Sequence, residues 1–369
     1  MRFQVLLLAS AFAVSLIRPA HAQTVVPDEP ACRACSIAIE PVLTLGDADG
    51  PGILPGLPED VIVDGLGRYW VLPGEGVPLI FDPGGRFLQE VGRRGQGPGE
   101  FVFPNVALAL PGDSVLVFDY GNMRGTVITP ELRHARSVLL PPGQILGAAW
   151  VDWPRSVIIN SIVRTPEHLG WPLHTVTFAD SRTAILRSFG RNAGELRPGF
   201  EHELKLTLSG PRAAHVWVAE ATRYVLAPWS AEGQRLPTLE RDAPWFAGSA
   251  GDRPGRGGAP DPIVTGLRED PDGLLWVFIL VAAPSWREAF PAPEPGGSRY
   301  GEVPMSRIAF EKMYRSVIEV IDTRAARVVA RRSYDHPIIA ALGDGVAAAY
   351  AVRSDAVPVL QILELELQR

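Results

Sequence analysis

Short runs of apolar residues alternate with Gly, Pro and Asp along most of the chain, and long amphipathic helical patterns are absent. β-Branched and aromatic residues dominate these runs, which is typical of strands joined by tight turns. We therefore predict an all-β fold.

Two patterns recur along the chain. A tight turn followed by a strand occurs in six copies, at 63–72, 110–119, 152–160, 210–220, 269–279 and 342–352. A strand, a turn and a second strand occur in five copies, at 78–91, 125–140, 174–189, 224–240 and 316–332. The first four copies of the second pattern recur about every fifty residues, the length expected of a propeller blade with four strands, and the longer step to the fifth copy is interpreted as one unit with insertions. This predicts a six-bladed β-propeller, with a seventh blade only if an insertion hides a degenerate one.

The sixth unit stops after one further strand, within residues 358–369, and so lacks an outermost strand. Residues 36–46 precede the first repeat and can supply it. Pairing the two ends of the chain in one blade would close the ring and remove exposed sheet edges. We therefore predict that residues 36–369 form a propeller closed by its N-terminal and C-terminal strands.

Residues 1–22 resemble a secretory signal peptide. Arg2 is followed by an apolar run that extends to Ile17, and Ala20–Ala22 is a small-x-small cleavage site. A retained anchor is the alternative. The pattern predicts a secreted or periplasmic protein without a membrane span after cleavage.

Residues 23–35 are predicted to be an N-terminal tether that carries the CxxC pair Cys32 and Cys35. In an oxidising compartment these cysteines are expected to form a short-loop disulfide. A redox or metal role is the alternative, but the pair lacks the βαβ context or the additional nearby ligands that such roles need.

The net charge of −6 argues against nucleic acid as a partner. Lys205 and Lys312 are the only lysines, so the other basic residues are all arginines. An individual arginine is therefore weak evidence for a site.

The segment GRRGQGPGEF (92–101), preceded by IFDPGGRFL and followed by DSVLVFD, resembles secreted bacterial six-bladed β-propellers of the NHL-like group. The resemblance implies the fold and says little about chemistry. The glycines of this segment suit either a phosphate-binding loop or a connector between blades. We favour the connector, because neither the Walker sequence nor a following helix is present.

Loop lengths indicate a working face. The long segments 161–175, 243–262 and 282–315 all fall where a blade's second and third strands connect or where one blade leads to the next. These connections share one face of a propeller, while the turns on the opposite face are short. Since long loops on a rigid scaffold commonly carry function, we expect the ligand on this long-loop face.

Polar residues at the starts of inner strands should line the channel mouth on the long-loop face, where they could hold calcium or a polar ligand. A water-filled channel is the alternative. An arginine in a loop could add a contact with an anion. Tryptophans in the long loops could offer aromatic surface to a ligand or simply anchor the loops. The candidate ligand-binding residues are Asp60, Asn105, Arg124, Trp171, Asp261, Trp286 and His336.

No catalytic motif accompanies these residues. We therefore favour a binding or interaction module whose partner is a peptide, a glycan or an envelope protein. The alternative is a metal-dependent enzyme that resembles the calcium lactonase and esterase propellers or the lyase propellers. Neither the metal nor an enzymatic activity follows from the sequence, because a fold does not determine function.

Overall fold

The structure is a computed structural model that describes residues 23–47, 49–153, 155–163, 165, 167–168, 170–178, 181–190, 206–208, 215–220, 223–246, 258–291 and 307–369. The predicted signal peptide lies outside these ranges, as do parts of the three long loops. Within them the regular structure is nearly all β-strand, with a short 3₁₀ helix (Trp286–Ala289) and one helical turn, α1 (Phe310–Met313).

The strands are β1 (Gln23–Val26), β2 (Ser36–Leu45), β3 (Asp60–Val63), β4 (Tyr69–Leu72), β5 (Leu79–Phe81), β6 (Phe87–Glu90), β7 (Arg93–Arg94), β8 (Glu100–Phe101), β9 (Pro104–Ala109), β10 (Val115–Asp119), β11 (Arg124–Ile128), β12 (His134–Leu139), β13 (Gly143–Asp152), β14 (Ser156–Val163), β15 (Leu173–Thr177), β16 (Ala184–Phe189), β17 (Leu206–Leu208), β18 (His215–Glu220), β19 (Val225–Ser230), β20 (Thr238–Arg241), β21 (Ile263–Glu269), β22 (Leu274–Ala282), β23 (Tyr314–Asp322), β24 (Arg327–Tyr334), β25 (Ile338–Gly343), β26 (Val346–Val352) and β27 (Pro358–Gln368).

These strands form six blades, each with four antiparallel strands, here lettered A to D from the inside outward. Blades 1 to 5 are β3–β6, β9–β12, β13–β16, β17–β20 and β21–β24, and blade 6 is β25, β26, β27 and β2. Each A strand contacts the A strand of the next blade, and β25 returns to β3. The turn–strand copies coincide with the A–B hairpins and the strand–turn–strand copies with the C–D hairpins. The predicted six-bladed propeller is confirmed.

The ring closes as predicted. β2 pairs antiparallel with β27 along its length, from Ser36 opposite Gln368 to Leu45 opposite Leu360. The side chains of Ile37 and Leu45 are fully buried. β2 is thus the outermost strand of blade 6. It covers the edge of β27, which would otherwise be unpaired.

Apolar side chains pack between neighbouring blades. In the interface of blades 2 and 3, for example, the rings of Phe118 and Phe178 have centroids 6.0 Å apart. The tryptophans at matched positions of strand B are buried in such interfaces. Each indole N–H donates to a carboxylate: Trp70 to Asp64 (2.8 Å), Trp217 to Glu269 (2.9 Å) and Trp276 to Asp270 (3.0 Å). The pairing satisfies the one polar group of each ring.

Residues 23–35, the predicted tether, run along the outside of the ring. Together with β2 they form a segment, residues 23–45, that we call the belt. β1 adds a fifth, parallel strand to blade 4 by pairing with β20. The Ala31 N–H then donates to the Val328 carbonyl of blade 5 at 2.8 Å, and a Cys32–Cys35 disulfide precedes β2 of blade 6. The belt therefore joins three successive blades.

A buried ion-pair network anchors the belt. Glu319 of β23 is fully buried and accepts hydrogen bonds from the Tyr224 hydroxyl (2.6 Å), from Arg241 Nε (2.9 Å) and from Arg331 Nε (2.7 Å). Both guanidinium groups also contact the carboxylate of Asp28 in the belt. Arg241 donates to its carboxylate at 3.1 Å, and Arg331 forms a second, shorter contact with it.

Burial would raise the pKa of Asp28, but hydrogen bonds from Trp245 and Arg331 outweigh burial and hold that pKa below its usual value. Arg241 also donates to the carbonyl oxygens of Val26 (2.7 Å) and Pro27 (2.9 Å). Two carboxylates thus face two guanidinium groups, and the belt is attached to blades 4 and 5 by charge-assisted hydrogen bonds.

Deleting parts of the belt should separate its two tasks. Without residues 23–46 the ring lacks its closing strand, so we expect the protein to aggregate through the exposed edge of β27. Without residues 23–35 alone, β2 remains, and we expect a protein that stays monomeric but melts at a lower temperature. Size-exclusion chromatography and thermal unfolding measure both. A monomeric Δ23–46 protein as heat-stable as its parent would contradict the closure argument.

Replacing Arg241 by Met should lower the free energy of unfolding by about 3–5 kcal/mol, because it leaves Glu319 buried with a charge that is only partly compensated. The control is Arg353→Met, which removes an arginine that is 46% exposed and paired with Asp355 at the surface. We expect this control to cost less than about 1 kcal/mol. Denaturant titrations measure both, and equal losses would show that the network does not stabilise the fold.

Candidate functional site

The glycine-rich segment 92–101 folds onto itself. β7 pairs in parallel with β8, Gly95 N–H donates to the Phe101 carbonyl at 2.9 Å, and Arg93 Nε donates to Glu100 Oε1 at 2.6 Å. Gly92 has φ +79°, and a Cβ there would collide with the carbonyl oxygen of Gly99. The glycines thus permit a compact turn between blades 1 and 2, which agrees with a connector.

Arg124 fixes this connector from blade 2. Its Nη1 donates to the carbonyl oxygen of Gln96 at 2.9 Å, and its Nη2 donates to that of Gly97 at 2.6 Å. Neighbouring Asn122 donates to the Gly95 carbonyl at 2.9 Å. Because backbone acceptors occupy both Nη groups, the geometry gives Arg124 a structural task at the position where the sequence suggested an anion contact.

Asp60, at the start of β3, joins blade 1 to blade 2. Its carboxylate accepts hydrogen bonds from its neighbour Val61 N–H (2.9 Å) and from Ala107 N–H on β9 (2.8 Å). Burial raises the pKa of Asp60 to about 6, although these hydrogen bonds act to lower it. The group therefore links adjacent inner strands.

Asn105 connects the next pair of blades. It is 6% exposed, and its Nδ2 donates to the Ile145 carbonyl of β13 at 2.6 Å. Within the described part of the chain, its Oδ1 is buried without a hydrogen-bond partner. Asp60 and Asn105 thus lie at the starts of inner strands, and both form hydrogen bonds with the neighbouring blade.

The remaining candidates on the long-loop face are only partly exposed. Trp286 packs against Phe290, with ring centroids 6.2 Å apart, and the Arg287 guanidinium carbon lies 4.5 Å from its ring centroid. His336 packs against Tyr334 at 5.7 Å between ring centroids. Trp171 follows a turn in which its N–H donates to the His168 carbonyl at 3.2 Å. These contacts favour loop anchoring for Trp286.

A cleft of about 420 Å³ opens on the long-loop face beside blade 5, and we call it the blade 5 cleft. The connection from blade 4 contributes to it, as do the end of β22, the start of β23 and the middle of β24. Its lining residues are Trp245, Ala259, Pro260, Asp261, Pro262, Val281, Ala282, Arg315, Val317 and Arg331. Of the seven sequence candidates, it includes only Asp261.

Two charged side chains of the cleft have no hydrogen bond or ion pair with any part of the chain that the structure describes. Arg315 lies opposite Val281 in the β22–β23 register, and its Nε is buried without a partner. Asp261 lies just before β21 and raises the pKa of buried Tyr314, although burial is the larger cause. The cleft thus offers one cation and one anion to a ligand, on largely apolar walls.

Blade 3 contains a polar cluster that the sequence analysis missed. His168 Nδ1 and His174 Nδ1 lie 2.9 Å and 2.8 Å from the Ser188 hydroxyl oxygen. Burial, followed by the neighbouring His168 imidazole, lowers the pKa of His174 to about 4. Since one hydroxyl can donate to only one of the two rings, the other ring must carry its proton on Nδ1. The pairing of β15 with β16 places His174 opposite Ser188, and this contact is a property of the folded chain.

Among the described residues, no group of three or more His, Cys, Asp or Glu side chains is placed to hold a metal ion. In the same ranges, no helix has the length and apolar character needed to cross a membrane.

No family model matches this chain, and no curated protein matches it. Among solved structures, a Bacteroides fragilis protein described as exported has a TM-score of 0.60 at 10% identity, over 94% of this chain and 100% of that one. A DUF4221 family member from Bacteroides vulgatus has a TM-score of 0.58 at 8% identity, over 90% and 99%. Virginiamycin B lyase from Staphylococcus aureus has a TM-score of 0.47 at 10% identity, and the match covers 90% of this chain and 100% of that one. At these identities the likeness shows the fold alone, and the resemblance to NHL-like propellers stays a prediction.

The raised pKa of Asp60 predicts a pH dependence of stability. The folded protein holds this proton more tightly than the unfolded chain, so the contribution of Asp60 to stability is highest near pH 4 and falls as the pH rises through about 6. Asp60→Asn lacks this titration. The parent should therefore lose roughly 2 kcal/mol relative to Asp60→Asn between pH 4 and pH 7, as measured by urea unfolding.

The comparison with a variant is necessary because buried His174 acts in the opposite direction, gaining stability as the pH rises from about 4. Asp272→Asn, at an exposed turn of blade 5, controls for the loss of a carboxylate elsewhere. A constant difference between parent and Asp60→Asn across this range would refute the role of Asp60.

Proposed function

We propose that this protein is an exported propeller that binds a ligand in the blade 5 cleft. One observation carries the proposal. The cleft has a volume of about 420 Å³, and its walls are mostly apolar. Asp261 and Arg315 line it, and neither has a partner within the described chain. A mostly apolar pocket with a few convergent polar groups is the usual composition of a small-ligand site.

The position of the cleft supports the same proposal. Its walls include Asp261 at the entry to an inner strand and Arg331 on an outer strand, so it extends outward from the channel mouth across blade 5. Two of the long loops, 243–262 and 282–315, supply residues to it. The ligand site thus belongs to the long-loop face, but it is displaced from the channel axis toward blade 5.

Export is supported by three observations. Residues 1–22 have the pattern of a signal peptide, Cys32 and Cys35 form a disulfide, and a structural neighbour is described as exported. Disulfides persist in the periplasm and outside the cell. We therefore place the protein in one of those compartments.

Substituting Ala282 by Trp should fill the cleft and abolish binding. Ala282 is partly buried at the end of β22 and lines the cleft. Saturation-transfer NMR with a library of amino acids, short peptides and sugars would identify binders, whose Kd is then measured for each variant. We expect at least a tenfold loss in Ala282→Trp, roughly the effect of losing a well-packed contact.

The matched control is Asp272→Ala, because Asp272 is exposed in the short A–B turn of blade 5, on the opposite face. Circular dichroism verifies that both variants are folded. Binders whose affinity is unchanged by Ala282→Trp but lost in Asp272→Ala would place the site on the short-turn face and refute the proposal.

A further inference from the structure

We infer that the ligand of the blade 5 cleft is a zwitterion of the amino-acid type, with a carboxylate for Arg315, an ammonium group for Asp261 and an apolar side chain for the walls. This inference rests on the proposed function, since it specifies the chemistry of the same site. It follows from which charges around the cleft are already neutralised and which are not.

Arg315 provides the anion-binding half. Its side chain is partly buried, and within the described chain no carboxylate or carbonyl accepts a hydrogen bond from its guanidinium. The buried Nε is closed to a ligand, so a carboxylate in the cleft would meet the two Nη groups, which lack an acceptor among the described residues and are not buried. The planar guanidinium can donate two parallel hydrogen bonds to a carboxylate, a geometry that lysine does not offer.

Asp261 provides the opposite charge. No donor of the described chain bonds to the Asp261 carboxylate. Burial raises the pKa of the Tyr314 hydroxyl, and the negative charge of Asp261 raises it further. Asp261 and Arg315 both line the cleft, yet they form no ion pair with each other. A ligand that carries both an ammonium group and a carboxylate can satisfy the two at once.

Arg331 does not change this balance, although it also lines the cleft. Its guanidinium contacts Glu319 and Asp28, and Arg241 contacts the same two carboxylates. The two positive and two negative charges of this network cancel. The cleft therefore presents no excess positive charge, which disfavours phosphate esters and other polyanions relative to a dipolar ligand.

The walls determine the third part of the ligand. Val281, Ala282 and Val317 form an apolar surface from adjacent strands β22 and β23, and prolines 260 and 262 face the same space. Trp245 contributes aromatic surface, although one side of its ring is taken by Arg331, whose guanidinium carbon lies 5.1 Å from the ring centroid. The volume suits an amino acid or a dipeptide with an aliphatic side chain, at the lower end of ligand-site sizes.

Three related compounds test each half separately by isothermal titration calorimetry: leucine, N-acetylleucine and leucinamide. Leucine should bind most tightly, because it alone offers both charges. Arg315→Met, which keeps an apolar stem of similar length, should weaken leucine and N-acetylleucine at least about tenfold and leave leucinamide unchanged. Asp261→Asn should weaken leucine and leucinamide and leave N-acetylleucine unchanged.

Arg353→Met is the matched control, because Arg353 lies in the loop between β26 and β27 on the same face, outside the cleft. It should bind all three compounds as the parent does. Equal affinity for the three compounds, or no binding of leucine up to millimolar concentration, would overturn the inference. Sugar binding that Ala282→Trp abolishes, without leucine binding, would overturn it too while leaving the cleft as the ligand site. If the cleft is not the ligand site at all, compounds will bind with an affinity that Ala282→Trp does not change, and this result would contradict the proposed function itself.

Discussion

The antiparallel pairing of β2 with β27 is the constraint on which the rest of the molecule depends. When the first and last parts of the chain meet in one sheet, the ring is held shut by strand pairing. Here ten residues of the N-terminal strand, Ser36–Leu45, lie against the final strand. β2 lies at the outside of blade 6, and the residues before it continue along the outer surface of the ring to blades 5 and 4.

That route explains the buried network. The belt crosses blade 5 where Asp28 meets Arg331 and reaches blade 4 where β1 meets β20. The same arginine and Trp245, which donates to Asp28 at 2.9 Å, line the blade 5 cleft. The outer wall of the cleft is therefore held by ion pairs and hydrogen bonds to the belt, so ring closure and the shape of the candidate site depend on one segment.

The architecture could be predicted from the sequence because its determinants are local. Tight turns such as 64–67 and strand alternation recur with a regular spacing, and neither requires knowledge of distant residues. The candidate site could be predicted only in part. Asp261 is placed by its position before an inner strand, but Arg315 is one arginine among many, and its lack of a partner is a property of the folded chain. Asp60 shows the converse, since its carboxylate is used by Ala107 of the next blade.

The belt also has a consequence for the order of events during synthesis. Asp28 contacts Arg331 across 303 residues of sequence, and Ser36 contacts Gln368 across 332. Asp28 therefore cannot reach its partner Arg331 until β24 has been made, and blade 6 cannot be completed until β27 has been made. Contacts of such separation slow folding. The belt thus lacks its contacts with β24 and β27 until those strands have been made, so the ring closes late in folding.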